Sequence, residues 1–306
     1  MVEANGKSST PAVPERKRHA VPHHASVRET AFDQPRDLLN NRFVYAVISP
    51  RARGLLLGVN MNPDKRCNFD CVYCEVDRRT PPREMQLDVD VMDDELRRTL
   101  AFVNEGRLRE RPFYQGLPDE LLELRHVALS GDGEPTLAPN FVEAVQAVVR
   151  VRALGGCPFF KIVLLTNATG LDLPEVQEGL KHLMRSDEIW TKLDGGTQAY
   201  LNKVNRGEVV LEKVLGNILL LARQRPVVIQ SLFPAINGVE PPLGEIEQYA
   251  QRLKELKADG AQISLVQIYS AARPMSHDEC GHLPLKTLSQ IAQLVRQTTG
   301  LKAEVF

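Results

Sequence analysis

Six apolar runs separated by amphipathic stretches constrain the fold of this chain more than any other feature. The runs are Gly54–Asn60, Arg125–Ser130, Lys161–Leu165, Glu188–Asp194, Val227–Phe233 and Gln262–Ile268. They are short, aliphatic and nearly continuous, as strands buried on both faces of a parallel sheet are. Between them, helical spacing is kept by Val91, Leu96, Leu100 and Val103 within residues 89–104, and by Phe141, Val145, Val148 and Val149. Residues 174–184, 211–222, 243–257 and 285–298 supply further helical stretches. Six strand–helix units predict an α/β fold, a partial (βα)6 TIM-like barrel of parallel strands with outer helices. Right-handed crossovers put every strand's C-terminal end on one face, where reactive groups of such barrels collect.

The unusual polar clusters all fall at those ends. Cys67, Cys71 and Cys74 follow the first run, Gly131-Asp132-Gly133-Glu134 the second and Thr166-Asn167 the third. Lys192 with Asp194, Gln230 with Ser231, and Gln267 with Tyr269 end the fourth, fifth and sixth. Chance placement would scatter them.

The cysteines form C-x-x-x-C-x-x-C, and soft thiolates select iron–sulfur clusters, zinc or copper(I) over hard cations. Only three ligands are offered, whereas a structural zinc site takes four and an electron-transfer 4Fe-4S cluster takes four cysteines. Cys157 and Cys280 are distant and lone. The simplest reading is one 4Fe-4S cubane on three thiolates with one iron open to a small molecule. The alternative is a zinc knuckle completed by a remote His or Asp.

The glycines of Gly131–Glu134 let the backbone turn sharply beside a ligand, and carbonyls with a carboxylate suit an ammonium group; a plain strand-to-helix turn is the alternative. Lys192 and Asp194 flank one residue, so on a strand both face the same side and need a partner or ligand if that side is the interior; a mutual pair closing the barrel is the alternative. Ser130 and Asn167 are further candidate contacts. Gln230, Gln267, Tyr269 and Arg273 come later in the barrel and are candidate substrate contacts; Arg273 is available for a carboxylate or phosphate, with a surface arginine beside the Pro274 turn as the alternative. Lys65, Arg66, Arg78, Arg79 and Arg83 surround the cysteine loop, either as a solvated face or as charges acting on a bound cluster or an acidic donor.

The 306 residues, 43% hydrophobic and 25% charged, suit a globular protein with one large domain over residues 37–306. Residues 1–36, rich in Pro, Ser, Lys, Arg and His and without hydrophobic period, are expected to form a mobile tail, with His19, His23 and His24 solvated rather than metal-bound. A net charge of −1 gives no overall field for nucleic acid or an anionic membrane. No apolar run reaches spanning length, and five cysteines, three of them clustered, form no extracellular disulfide framework. Cytoplasm is the expected compartment.

With Tyr73 before the last cysteine, the loop resembles that of the radical S-adenosylmethionine (SAM) superfamily. The resemblance implies a 4Fe-4S cluster on Cys67, Cys71 and Cys74, whose open iron takes the methionyl amino and carboxylate groups of S-adenosyl-L-methionine. Reductive cleavage then yields a 5′-deoxyadenosyl radical that abstracts hydrogen. It further implies that Tyr73, Gly133 and Glu134 position the cofactor, that Ser130, Gly131 and Asn167 lie near it, and that Lys192 and Asp194 reach its ribose and carboxylate. The superfamily's Gly-Gly-Glu segment is matched at Gly133 and Glu134, with Asp132 interposed.

From Phe43 to Phe306 the chain is most similar to the wyosine-synthase-like iron–sulfur oxidoreductase branch, through Ser130–Leu137, Lys192-Leu193-Asp194 to Asn205-Arg206, and Gln267 to Pro274. No cysteine precedes Cys67, so the second cluster of the 4-demethylwyosine synthases is not expected, nor is their action on transfer RNA. The implied partners are an electron donor such as flavodoxin or ferredoxin and a small-molecule or nucleoside substrate. Two other function classes are an activating enzyme that installs a glycyl radical on a partner protein and a non-catalytic iron–sulfur or zinc redox sensor or scaffold.

Overall fold

The computed structural model describes residues 29–31, 34–35, 38–273, 275 and 277–306. Most of the expected tail, its histidines included, lies outside them; within it, β1 (Glu29–Ala31) pairs antiparallel with β2 (Gln34–Pro35). The remaining strands are β3 (Val44–Ser49), β4 (Gly54–Asn60), β5 (Leu124–Ser130), β6 (Lys161–Thr166), β7 (Glu188–Lys192), β8 (Val227–Leu232), β9 (Ala235–Ile236), β10 (Ile263–Tyr269), β11 (Cys280–Gly281) and β12 (Ala303–Val305). The helices are α1 (Val89–Asn104), α2 (Asp119–Leu122), α3 (Phe141–Leu154), α4 (Pro174–Leu180), α5 (Gln198–Val204), α6 (Leu211–Ala222), α7 (Leu243–Ala258) and α8 (Leu285–Thr299).

Among the described residues the main sheet has eight strands in the order β3-β4-β5-β6-β7-β8-β10-β12. All neighbours are parallel except β3, which pairs antiparallel with β4. The six expected strands are therefore present in the expected order, and two edge strands extend the sheet beyond six. β3 joins β4 through a turn in which Arg53 N–H donates to Pro50 O at 3.0 Å. β12 has three residues, too few for a periodicity to register.

Every residue of β4 is buried, as its unbroken aliphatic run requires when one face meets helices and the other lines the interior. The outer face packs against α1, α3, α6, α7 and α8 in one large core. A smaller cluster fills the concave side: Ala52, Leu56, Ala128, Val163, Trp190 and Val228. Above it on the same face come Ser130, Lys192, Gln230 and Gln267. Register pairs Lys192 with Gln230 and Gln230 with Gln267, so three polar side chains enter the mouth from neighbouring strands.

Helix ends follow local chemistry. Asp88 caps α1 by accepting the Val91 N–H at 3.1 Å, Thr197 caps α5 through the Tyr200 N–H at 3.2 Å, and Gly300, at φ 65°, closes α8. The helix expected to reach Met184 stops at Leu180, and 183–187 form turns braced by Asp187. No helix among the described residues is long and apolar enough to cross a membrane.

Candidate active site

The cysteine loop leaves the C-terminal end of β4 and is fastened to three other strand ends. Glu134 N–H donates to Arg66 O at 3.1 Å. A side chain at Gly133 would place its Cβ 1.9 Å from that same carbonyl, so a glycine is what permits the approach. Asn167 Nδ2 donates to Asn68 Oδ1 at 2.8 Å, joining the loop to the end of β6. Asp70 N–H and Val72 N–H donate to Asn205 O and Val204 O at 2.9 and 2.8 Å, seating the loop on the end of α5. Lys65, left-handed at φ 62°, donates Nζ to Asp77 O, Thr80 O and Thr80 Oγ1 at 2.6, 2.8 and 2.9 Å. It clamps the chain after the cysteines instead of serving as a surface charge.

Each cysteine sulfur faces a donor. Phe69 N–H lies 3.4 Å from Cys67 Sγ, Asn205 Nδ2 3.2 Å from Cys71 Sγ and Arg78 Nη1 2.9 Å from Cys74 Sγ. Burial pushes the Cys67 thiol up to about 11 and the Cys71 thiol to about 12, so metal ligation must displace their protons. Among the described residues no three His, Cys, Asp or Glu side chains converge on one ion-sized point. A cubane makes no such demand, since each thiolate takes a different iron. Three donor-backed thiols on one constrained loop fit that group.

The Gly131–Glu134 turn is built from inside. Asp132, 1% exposed, accepts from Asn60 Nδ2 at 2.7 Å and returns its N–H to Asn60 Oδ1 at 3.0 Å, which explains the residue interposed between the glycines. Glu134 accepts from Thr136 N–H, Thr136 Oγ1, Thr166 Oγ1 and Asn167 N–H at 3.1, 2.7, 2.5 and 2.7 Å. Burial pushes its carboxyl above the ordinary glutamate value against those donations. Glu134 therefore braces the ends of β5 and β6, leaving the backbone of the turn to face a ligand. Ser130 Oγ meets the Tyr45 hydroxyl at 2.8 Å.

Asp194 lies two residues beyond the end of β7, because its Oδ1 accepts the Leu232 N–H at 2.8 Å in place of a ladder carbonyl. Its Oδ2 accepts from the Tyr73 hydroxyl and from Asn205 Nδ2. Lys192 Nζ is 3.4 Å from Asp194 Oδ1, 3.1 Å from the Tyr269 hydroxyl and 4.6 Å from the Tyr73 ring centroid. Burial favours the neutral amine, but Asp194, Tyr269 and Cys71 outweigh it and hold Lys192 charged. Burial, together with Asp194 and Cys71, likewise keeps Tyr73 protonated.

Cys71, Tyr73, Asp194, Lys192 and Tyr269 thus come together. Gln230 Nε2 donates to Gln267 Oε1 at 2.8 Å on the same face. Arg273 Nη1 instead lies 3.3 Å from Glu75 Oε2, tying the segment after β10 to the cysteine loop. Cys280 is buried in β11, and half-buried Cys157 follows α3. Asn205, which touches Cys71, Tyr73 and Asp194, enters the sequence reading only within the stretch from Lys192 to Arg206 that carries the resemblance, with no role of its own.

No family model matches the chain. It is 25% identical over 276 residues to a UPF0026 protein of Helicobacter pylori, covering 84% of this chain and 80% of the relative. A UPF0026 protein of Synechocystis sp. is 30% identical over 182 residues, 57% of each chain. Among solved structures, TYW1 with a lysine-pyruvate adduct bound aligns with TM-score 0.52 and 17% identity over 82% of this chain and 75% of that one. Streptococcus suis SuiB bound to S-adenosylmethionine aligns with TM-score 0.54 and 14% identity over 82% of this chain and 51% of that one. A spore photoproduct lyase aligns with TM-score 0.51 and 11% identity over 87% and 79%. In its parallel sheet and outer helices the chain has the fold of these solved structures, the fold of the radical S-adenosylmethionine enzymes.

Proposed function

We propose that this chain is a radical S-adenosylmethionine enzyme acting on a small-molecule or nucleoside substrate. One observation carries the proposal: the loop bearing Cys67, Cys71 and Cys74 is anchored to the Gly133–Glu134 turn, to Asn167 and, through the Tyr73 hydroxyl, to Asp194, at three successive strand ends. A 4Fe-4S cluster there would supply the electron that cleaves bound S-adenosylmethionine and starts hydrogen abstraction. Cys67, Cys71 and Cys74 would hold it, and the open backbone of Gly131–Gly133 would receive the cofactor's amino group. Lys192 offers a retained positive charge toward the cofactor's far end, held in place by Asp194, with Tyr73 packed between them and the cysteines. The barrel interior below, filled by Trp190 and its neighbours, closes the far end of the barrel to water. An electron donor such as flavodoxin or ferredoxin is the partner this chemistry requires.

The test is anaerobic reconstitution, iron and sulfide analysis, reduction with dithionite and addition of S-adenosylmethionine. About four irons per chain and release of 5′-deoxyadenosine, both lost in Cys71→Ala, support the proposal. One zinc per chain without cleavage would move the cysteines to a structural role and sink it.

A further inference from the structure

The barrel is open between its edge strands, β3 and β12, and the turn joining β3 to β4 reaches across that seam. Arg53 Nη2 donates to Glu304 Oε2 of β12 at 2.7 Å, while Ala52 is buried in the inner cluster with Trp190. Between them, the half-buried Arg51 stacks its guanidinium on the Tyr269 ring of β10, 4.1 Å from the centroid. Lys192 Nζ lies 5.4 Å from the same centroid and 3.1 Å from the Tyr269 hydroxyl. Two cations therefore share one aromatic ring at the barrel mouth.

They differ in their partners. Lys192 has Asp194 at 3.4 Å, Arg53 has Glu304, and Arg273 has Glu75 at 3.3 Å. Arg51 has no carboxylate partner among the described residues. A guanidinium held over a ring face keeps its N–H donors in its own plane, where those not covered by the ring can meet two oxygens of a carboxylate or phosphate. Gln230 and Gln267, each 2% exposed, are neutral, and Asp194 is already engaged by Tyr73, Asn205, the Leu232 N–H and Lys192. Two cations at the Tyr269 ring against one carboxylate that is already engaged favour an anion.

We infer that Arg51 anchors an oxyanion of the substrate, a carboxylate or phosphate, beside the Tyr269 ring that Lys192 also approaches. The substrate is then a small anionic metabolite, an inference that rests on the proposed function. Trp190, the single tryptophan of the chain and a neighbour of Ala52 in the inner cluster, supplies a fluorescence reporter.

The experiment titrates inorganic phosphate and malonate separately into the reconstituted full-length protein with S-adenosylmethionine present, following Trp190 emission and heat release. Saturable binding of one anion, weakened at least about tenfold in Arg51→Gln and less in Arg51→Lys, is expected. Arg53→Gln, which removes a neighbouring charge from the same turn, should stay close to wild type. Preference for malonate assigns a carboxylate, and preference for phosphate assigns a phosphate ester. Equal affinity in Arg51→Gln and wild type, or no saturable binding of either anion, overturns the inference; Arg51→Met is the replacement if Arg51→Gln does not fold. Iron content and 5′-deoxyadenosine release on the same samples separate the two claims. Cleavage without anion binding removes only the anchor, and Arg51-dependent anion binding without cleavage removes only the radical chemistry.

Discussion

Asn205 donates its amide Nδ2 to Cys71 Sγ across 3.2 Å. The same nitrogen lies 3.0 Å from the Tyr73 hydroxyl and 2.9 Å from Asp194 Oδ2, and the residue is fully buried. Its Oδ1 is buried without a hydrogen-bond partner among the described residues, an unmet acceptor beside the proposed cofactor site. A donor to a ligating sulfur stabilises the more negative, reduced cluster. With the proposed cluster bound to Cys71, Asn205→Ala should therefore lower its reduction potential by roughly 40 mV, the equivalent of about 1 kcal/mol for a one-electron couple. A redox titration followed by electron paramagnetic resonance reads this directly. An unchanged potential at full iron loading would deny Asn205 that role.

Gly133→Ala should damage the site without touching a cysteine. The new methyl would sit 1.9 Å from Arg66 O and 2.7 Å from Asn62 Cβ, so the turn and the cysteine loop must separate and the Glu134–Arg66 hydrogen bond is lost. Overpacking of this kind costs about 1–3 kcal/mol, a fall in Tm of roughly 3–9 °C for a chain of this size. Iron retained after reconstitution should fall in parallel. Wild-type iron content and Tm would show that the two segments tolerate separation.

The six central strands were legible because burial on both faces demands unbroken aliphatic runs, and such runs stand out in one dimension. Val44–Ser49 is apolar too, but an antiparallel edge strand has no crossover helix to announce it, and Ala303–Val305 is too short. In the site, the cysteines and the glycine turn are local motifs. The role of Arg273 was harder to read because its partner Glu75 is brought beside it by folding. Asn205 and Arg51 owe their positions to distant segments meeting at the barrel mouth, which spacing cannot report. Lys65 and Arg78 look alike as charges near the cysteines; only the fold separates a backbone clamp from a sulfur donor.

Asp187 should dominate stability away from the site. Its side chain is fully buried and accepts from Arg152 Nη1 and Nη2 at 2.6 and 3.0 Å, and from the Ile162 and Met184 N–H groups at 2.9 and 2.8 Å. Asp187→Ala leaves the Arg152 guanidinium, 7% exposed, without its counter-ion and should cost about 3–5 kcal/mol in urea unfolding. Lys181→Ala, which breaks a pair to Glu178 whose side chains are 70% and 54% exposed, should cost below about 1 kcal/mol. Equal losses would contradict the assignment of burial as the deciding factor.

Glu188 gives the barrel floor a pH dependence of definite sign. Burial works to raise its carboxyl, but the His126 ring nitrogen 3.7 Å away, Lys161 Nζ at 2.8 Å and Trp190 Nε1 at 2.8 Å outweigh it and hold the group down to about 2. An unfolded glutamate titrates near 4.5. The ionised carboxylate therefore contributes its full stabilisation above that value and loses it progressively as pH falls toward about 2. The side chain is 26% exposed, so solvent reduces the contribution to about 1–2 kcal/mol. Urea unfolding of wild type and Glu188→Gln should differ by that amount at about pH 7, and the gap should narrow steadily below about pH 4.5. A gap that stays constant down to about pH 3 would show that packing around Trp190, rather than the charge on Glu188, carries the difference.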